Sequence, residues 1–293
     1  NLRDLTVIQN SASTSGGGIY CGDNSNMDLI SVSIGYNESN SGYGAGISAE
    51  SSTLKIDSSL VENNNNNGAA EGGGIFLKSS SLILADSKIQ NNSANKFGGV
   101  CVYTQSSLEA KRVLFDGNTS TSVASAIGTV SAGTVNLTNC TFVNNNGSDW
   151  SGRAIYAGSG ITIKNSISHN NNPGDYSGNN GAIDVTYSLS DENYYVWGTT
   201  NEQDITGNGN IFVSPQFDNN YSIQSSSPCL DAGDPDLDGD GNTFSTDADD
   251  QDPDGTRLDM GAYYFHQTGE TYDGPDVIGS VTLVDSEGGE ILS

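Results

Sequence analysis

A phrase of small residues closed by an aliphatic returns through most of this chain at almost constant spacing. It reads Gly16-Gly17-Gly18-Ile19, Gly44-Ala45-Gly46-Ile47, Gly72-Gly73-Gly74-Ile75, Gly98-Gly99-Val100, Ala124-Ser125-Ala126-Ile127, Gly152-Arg153-Ala154-Ile155 and Asn180-Gly181-Ala182-Ile183. The closing aliphatics are 28, 28, 25, 27, 28 and 28 residues apart. A second anchor keeps the same time, with Met27, Leu54, Leu82, Leu108, Val135 and Ile161 separated by 27, 28, 26, 27 and 26. A sustained period of this length signals stacked repeats.

Each repeat contains short stretches that alternate apolar and polar, with no helix-period stripe. Two residues after each second anchor comes another apolar residue (Leu29, Ile56, Leu84, Ala110, Leu137, Ile163), and the residues between are mostly polar. Seven after the anchor, Ile34, Val61, Ile89, Phe115 and Phe142 are apolar and Ser168 is the exception. Asn follows soon after, as Asn10, Asn37, Asn63, Asn91, Asn118, Asn144 and Asn170. One turn cannot bury its own apolar face, but stacked turns can, each strand pairing with its counterpart one repeat away. This predicts an all-β parallel β-helix solenoid of about seven coils. Asn suits left-handed corners and stacked amide ladders, and Gly lets the backbone turn where a Cβ would clash.

The 293 residues carry a formal charge of −26 with only ten Lys and Arg. With no cationic face, nucleic acid and anionic membranes are poor partners. No stretch is long and apolar enough to insert directly into a membrane. Such an acidic chain suits divalent cations and an extracellular setting. The four cysteines do not read as a disulfide framework: Cys21 and Cys140 fall on inward positions, Cys101 on an outward one, and a link from Cys229 is left open.

Residues 1–189 are expected to form the coils. Residues 190–268 are expected to form a C-terminal cap, with Tyr194, Tyr195, Trp197, Ile211, Phe212, Val213, Pro215 and Phe217 covering the open end. That cap includes an acidic loop, Asp231 to Asp259, and a closing strand from Asp259 to Phe265. Residues 269–293 read as a linker and the start of a further β domain. The chain opens inside a repeat, which predicts a longer parent protein and makes a missing leader uninformative.

The Gly phrases, together with Ile34-x-x-Asn37, Phe115-x-x-Asn118 and Phe142-x-x-Asn145, resemble the repeats of polymorphic outer-membrane proteins. The segments Ser227-Pro228-Cys229-Leu230-Asp231-Ala232-Gly233-Asp234-Pro235 and Asp252 to Ala262 resemble the ends of secreted bacterial right-handed β-helix proteins of the pectate-lyase-like superfamily. The resemblance implies right-handedness, secretion, cell-surface attachment and a C-terminal anchor domain beyond these residues. It implies no defined activity.

Three sets of residues are candidates for chemistry. Asp236, Asp238, Asp240, Asn242 and Asp247, with Gly241 at the turn, match a calcium-loop pattern, and Asp249, Asp250, Asp252 and Asp254 stand in reserve. This predicts structural Ca²⁺. Tyr20, Ser48, Phe76, Cys101, Gly128, Tyr156 and Asp184 follow the aliphatic anchors on an outward column, where Tyr20, Phe76 and Tyr156 would stack on sugar rings of a polysaccharide or cell-surface glycan. Asp57, Asp86, Lys111, Arg112 and Lys164 form a charged line of the kind a β-helix lyase or hydrolase would use, although a surface ion pair accounts for Asp86 and Arg112. His169 and His266 are expected to stand without partners. The favoured reading is non-catalytic, a stalk or adhesive module with glycan binding. A calcium-dependent polysaccharide lyase or glycoside hydrolase is the alternative.

Overall fold

The computed structural model describes residues 1–68, 71–148, 153–179, 182–192, 194–196 and 202–267. Its strands stack in parallel sheets as a β-solenoid of about six turns. The eight-stranded sheet runs from Leu2–Arg3 through Asn26–Ile30, Thr53–Asp57, Ser81–Ala85, Ser107–Lys111, Val135–Thr138 and Ile161–Lys164 to Ile183–Thr186. A seven-stranded sheet holds the strands from Thr6–Ile8 to Ile167–His169, and a five-stranded one the two-residue strands from Ser11–Ala12 to Thr119–Ser120. The nine-stranded sheet follows the Gly phrases, from Ile19–Cys21 to Glu202–Gln203, and only its last pairing is antiparallel.

The predicted register holds through the middle of the stack. Leu54 pairs with Leu82 and Leu82 with Leu108, while Ile56, Leu84 and Ala110 form the next column inward, all buried. One continuous apolar core runs from Cys21 to Tyr194 and Ile205. Stacking like on like removes apolar side chains from water at every coil, which is the main stabilising term for such a rod.

The turns between strands follow one rule. A residue with left-handed backbone makes the corner, and the next residue turns inward and bonds to the coil above. At one corner Gln9, Tyr36, Asn63, Asn91, Gly117, Asn144 and Asn170 have positive φ. The inward residues after them are Asn10, Asn37, Asn64, Asn92, Asn118, Asn145 and Asn171. Each of the first six donates through Nδ2 to the Oδ1 of the next at 2.9–3.0 Å. The backbone N–H of each donor residue reaches the same oxygen. Asn63, Asn91, Asn144 and Asn170 take the left-handed corner expected of them, but the interior ladder is made by their successors. Each ladder Asn stands three residues after the inward residue of the seven-stranded sheet, the offset of the Phe-x-x-Asn phrases. Serines repeat the pattern elsewhere: Ser52 N–H donates to Ser80 Oγ, Ser80 N–H to Ser106 Oγ and Ser59 N–H to Ser87 Oγ.

The Gly phrase is fitted to this ladder. A Cβ on Gly46 would lie 2.6 Å from the Gly74 carbonyl oxygen and 2.9 Å from Asn64 Nδ2, so the phrase passes directly over the amide stack. Gly44 is the left-handed residue that opens its phrase (φ 64°), and Phe97 and Ala124 hold that conformation in later coils without being glycine.

The last coils depart from the expected period. The counterpart of Ile155 in the nine-stranded sheet is Tyr176, 21 residues later. Ile183 pairs with Ile161 in the eight-stranded sheet, so Asp184 leaves the outward column. The final Gly phrase is thus not a repeat of the earlier ones, because the preceding turn is shortened. Gly152, Asn180, Gly181, Trp197 and residues 268–293 lie outside the described residues. Ile205 and Phe212 pack against the core and Ile211 and Phe217 against a second cluster, whereas Val213, expected in the cap, is 52% exposed.

The four cysteines are free and buried. Cys101 keeps its outward position in the strand but is 0% exposed, because Phe97 and Ala124 pack over it outside the main core.

Asn92→Ala leaves the buried Asn64 N–H without its acceptor and takes one of two acceptors from Asn64 Nδ2. At about 1–3 kcal/mol for a buried unsatisfied group, a loss of that size is expected by urea unfolding. Asn91→Gly, at the exposed left-handed corner, should change stability by less than about 0.5 kcal/mol.

Candidate functional site

The acidic C-terminal segment lies as a strap along the outside of the last coils. Asn139 Nδ2 donates to the Asp259 carbonyl, Gly261 N–H to the Asn165 carbonyl and Ala262 N–H to Thr141 Oγ1. Asp234 N–H donates to Asn165 Oδ1, and Lys164 Nζ reaches Asp234 Oδ2 at 3.2 Å and the Leu237 carbonyl at 3.3 Å. Residues 259–265, expected as a closing strand, are irregular: Gly261 and Ala262 N–H donate to the coils, Asp259, Met260 and Phe265 N–H donate within the C-terminal segment, and Gly261 has φ 101°. Ala262 and Tyr263 cover Leu114 and Val143 on the outer face of the seven-stranded sheet.

The strap divides the predicted calcium ligands. One carboxylate oxygen from each of Asp236, Asp238 and Asp250 lies within 4.8 Å of the others. Asp240 instead accepts from the N–H and Nδ2 of Asn242. Asp247 caps the short 3₁₀ turn Ala248–Asp250 by accepting from Asp249 N–H. The set brought together is therefore not the linear loop; its third member is one of the reserve acids, which the short turn carries inward.

A second acidic pair lies deeper. Asp252 Oδ2 accepts the Asp259 N–H at 3.0 Å, and Asp259 accepts from Asp231 N–H and Phe265 N–H. Burial, and then the Asp259 carboxylate, push Asp252 up to about 8. Burial, with the Asp231 and Asp254 charges, pushes Asp259 up to about 7.

The outward column exists in register, since Tyr20 pairs with Ser48, Ser48 with Phe76, Phe76 with Cys101, Cys101 with Gly128 and Gly128 with Tyr156. It is not an open aromatic ridge. Phe76 is 1% exposed, stacked between Tyr43 at 4.5 Å and Tyr103 at 5.9 Å. Phe97 lies so close over Gly128 that a Cβ there would be 1.9 Å from its ring. Tyr156 is half-buried, and Tyr20 alone of the three stands well out, at 54%. Alternation identifies the face turned away from the solenoid interior; it carries no information about loops that fold back over that face.

In the charged line, Arg112 holds Asp86 through two hydrogen bonds of 2.5 and 2.6 Å, the expected ion pair. Asp57, Ala85, Lys111, Thr138 and Lys164 share one column. Asp57 lies 3.9 Å from Lys55, and Lys164 is engaged by the strap. His169, expected alone, pairs with Asp191 at 2.7 Å, which raises the imidazole's pKa, and His266 lies beside Tyr264. Ser168, the polar exception in its column, faces a buried carboxylate: Asp175 accepts from Ser168 Oγ, Asn171 Nδ2, Ser190 Oγ and Asp191 N–H. These four donors make it a closed structural group.

An unanticipated concave strip of about 620 Å³ runs over the five-stranded sheet. Its floor and walls come from four coils: Asn65–Gly68, Ser93–Asn95, Thr119–Thr121 and Asn146–Ser148. Every lining side chain is an uncharged amide, hydroxyl, methyl or hydrogen. The sequence signal for it is the polar position after each ladder Asn, occupied by Asn65, Ser93, Thr119 and Asn146.

Among the described residues no helix is long and apolar enough to cross a membrane. No family model matches the chain, and no curated protein or solved structure matches it.

Carboxyls raised in the folded state contribute stability that is complete below the unfolded value, about 4, and is lost as the pH rises through the folded one. In EDTA, the thermal midpoint should therefore fall between about pH 4 and pH 8 as Asp252 and Asp259 are forced to ionise together. Asp252→Asn, which keeps an acceptor for Asp259 N–H, should flatten that decline and raise the midpoint at pH 8.

Proposed function

We propose that this chain is a non-catalytic module of a secreted or cell-surface protein, a right-handed β-helix of the pectate-lyase-like superfamily. It acts as a stalk or adhesive rod and binds neutral glycan along the concave strip. The observation that carries this reading is the strip itself, in which amide and hydroxyl groups repeat across four coils at the strand spacing of about 4.8 Å. That spacing is comparable to the length of one hexopyranose unit, so successive sugars of an extended chain meet equivalent groups. Uncharged donors and acceptors suit sugar hydroxyls, and a chain of charge −26 disfavours an acidic polymer. Tyr43, 41% exposed and stacked on Phe76, and Tyr20 offer ring faces on the neighbouring side of the rod; Phe76 serves as their support instead of as a contact. Attachment to a cell surface through a separate anchor domain fits the same reading.

A polysaccharide lyase or hydrolase is less well supported. Of the charged line, Asp57, Asp86, Arg112 and Lys164 are engaged as Lys55–Asp57, Asp86–Arg112 and Lys164–Asp234 pairs, which leaves Lys111 without an acid beside it in its column.

Affinity electrophoresis over a polysaccharide panel tests the proposal. Retardation by a neutral polymer is expected, and Asn95→Ala combined with Thr121→Ala should weaken it by about fivefold or more, roughly 1 kcal/mol. Unsaturated or reducing products from any member of the panel would replace this reading with the enzymatic one.

A further inference from the structure

Asp236, Asp238 and Asp250 are drawn together by the strap, and we propose that they form a calcium site that fastens it to the solenoid. Proximity of three acids is not the only support. Asp250 is 1% exposed; its Oδ1 accepts the Leu237 N–H at 2.6 Å, while its Oδ2 is buried without a hydrogen-bond partner. Asp236 Oδ1 is likewise buried and unpartnered, although Oδ2 of the same group accepts from Gly241 N–H. Buried carboxylate oxygens left without donors are rare, because each gives up hydration with nothing in return. A cation supplies what both oxygens lack.

The donor set selects the ion. All three side chains offer hard carboxylate oxygens, with no imidazole or thiolate among them, which favours calcium or magnesium over zinc. Asp238 is exposed, so the outer side of the group is open to the waters that complete a calcium shell. The ligands come from an irregular loop and a short 3₁₀ turn, a flexible arrangement that suits calcium better than the strict octahedron of magnesium.

The site also has a mechanical position. Leu237, next to Asp236, donates its N–H to Asp250, and its carbonyl accepts from Nζ of Lys164, a residue of the eight-stranded sheet. Neutralising the three carboxylates thus fixes the segment that Lys164 and Asn165 tie to the coils. Calcium binding and docking of the strap become one equilibrium. The inference is independent of the glycan reading.

Calorimetric titration of EDTA-stripped protein with calcium chloride, paired with thermal unfolding, provides the test. One saturable site is expected, with a dissociation constant on the order of 10⁻⁴ M or tighter, together with a higher midpoint for thermal unfolding in calcium than in magnesium. Asp250→Asn keeps the acceptor for Leu237 N–H and should weaken binding by about tenfold or more. Asp238→Asn, on the exposed side, should weaken it by about fivefold without altering the circular dichroism of the metal-free protein, and so covers the case in which Asp250→Asn misfolds. Asp240→Asn and Asp247→Asn should stay within about twofold of the parent. A flat titration of the parent protein overturns the proposal. So does retention of affinity in Asp250→Asn and Asp238→Asn alongside its loss in Asp240→Asn and Asp247→Asn, which would restore the linear loop.

Discussion

The hydrogen bond from one asparagine amide to the next, inside the solenoid, is the interaction on which the rest of the structure depends. At a corner the strand ladder is interrupted, and buried backbone groups need partners that the next strand does not supply. Each ladder Asn meets that need twice. Its oxygen takes the N–H and side-chain amide of one coil, and its own Nδ2 reaches both the next Asn and a backbone carbonyl, as Asn64 does with Asn92 Oδ1 and Ile34 O. All the amides point the same way along the rod, so their dipoles add, and neighbouring bonds polarise one another. The ladder ends with Asn171 Nδ2 donating to Asp175, a buried carboxylate at the positive end of the series.

This ladder fixes the neighbouring chemistry. The glycines of the first phrases are required where the backbone crosses the amide stack, and the left-handed residue before each Asn is required to turn the side chain inward. The Gly phrase and the Asn phrase are therefore two sides of one contact, although they stand well apart in sequence. Where the turn is shortened after Ile155, the ladder stops, and Ser168, Asp175 and Ser190 form a buried polar group at its end while the apolar core continues beside it.

Charge is segregated along the molecule. The corner surfaces over the middle coils are built from amides and hydroxyls, whereas the strap gathers carboxylates: Asp236, Asp238 and Asp250 in one group, Asp252 and Asp259 in another. The two ligands proposed above, a neutral glycan on the coils and a calcium ion on the strap, would therefore occupy separate regions. The strap also converts the outer face of the seven-stranded sheet, at Leu114 and Val143, from surface into interior.

The sequence by itself determined the solenoid, the pairing of Leu54, Leu82 and Leu108, and the Asp86–Arg112 contact, because a repeat makes each neighbour a copy offset by one period and turns distance in space into distance along the chain. It also placed Cys21 and Cys140 inside. Residue type does not tell which member of each Asn pair enters the ladder, since both are Asn; the three-residue offset from the inward apolar residue, visible in Phe142-x-x-Asn145, does, and the left-handed corner is its structural cause. Tertiary structure alone decided that Phe76 and Cys101 are buried, because loops carrying Tyr43 and Phe97 return over a face that alternation marks as outward. It also decided which acids meet: Asp250 joins Asp236 and Asp238 through the path of a non-repeating segment, and where the period ends the sequence no longer gives distances in space.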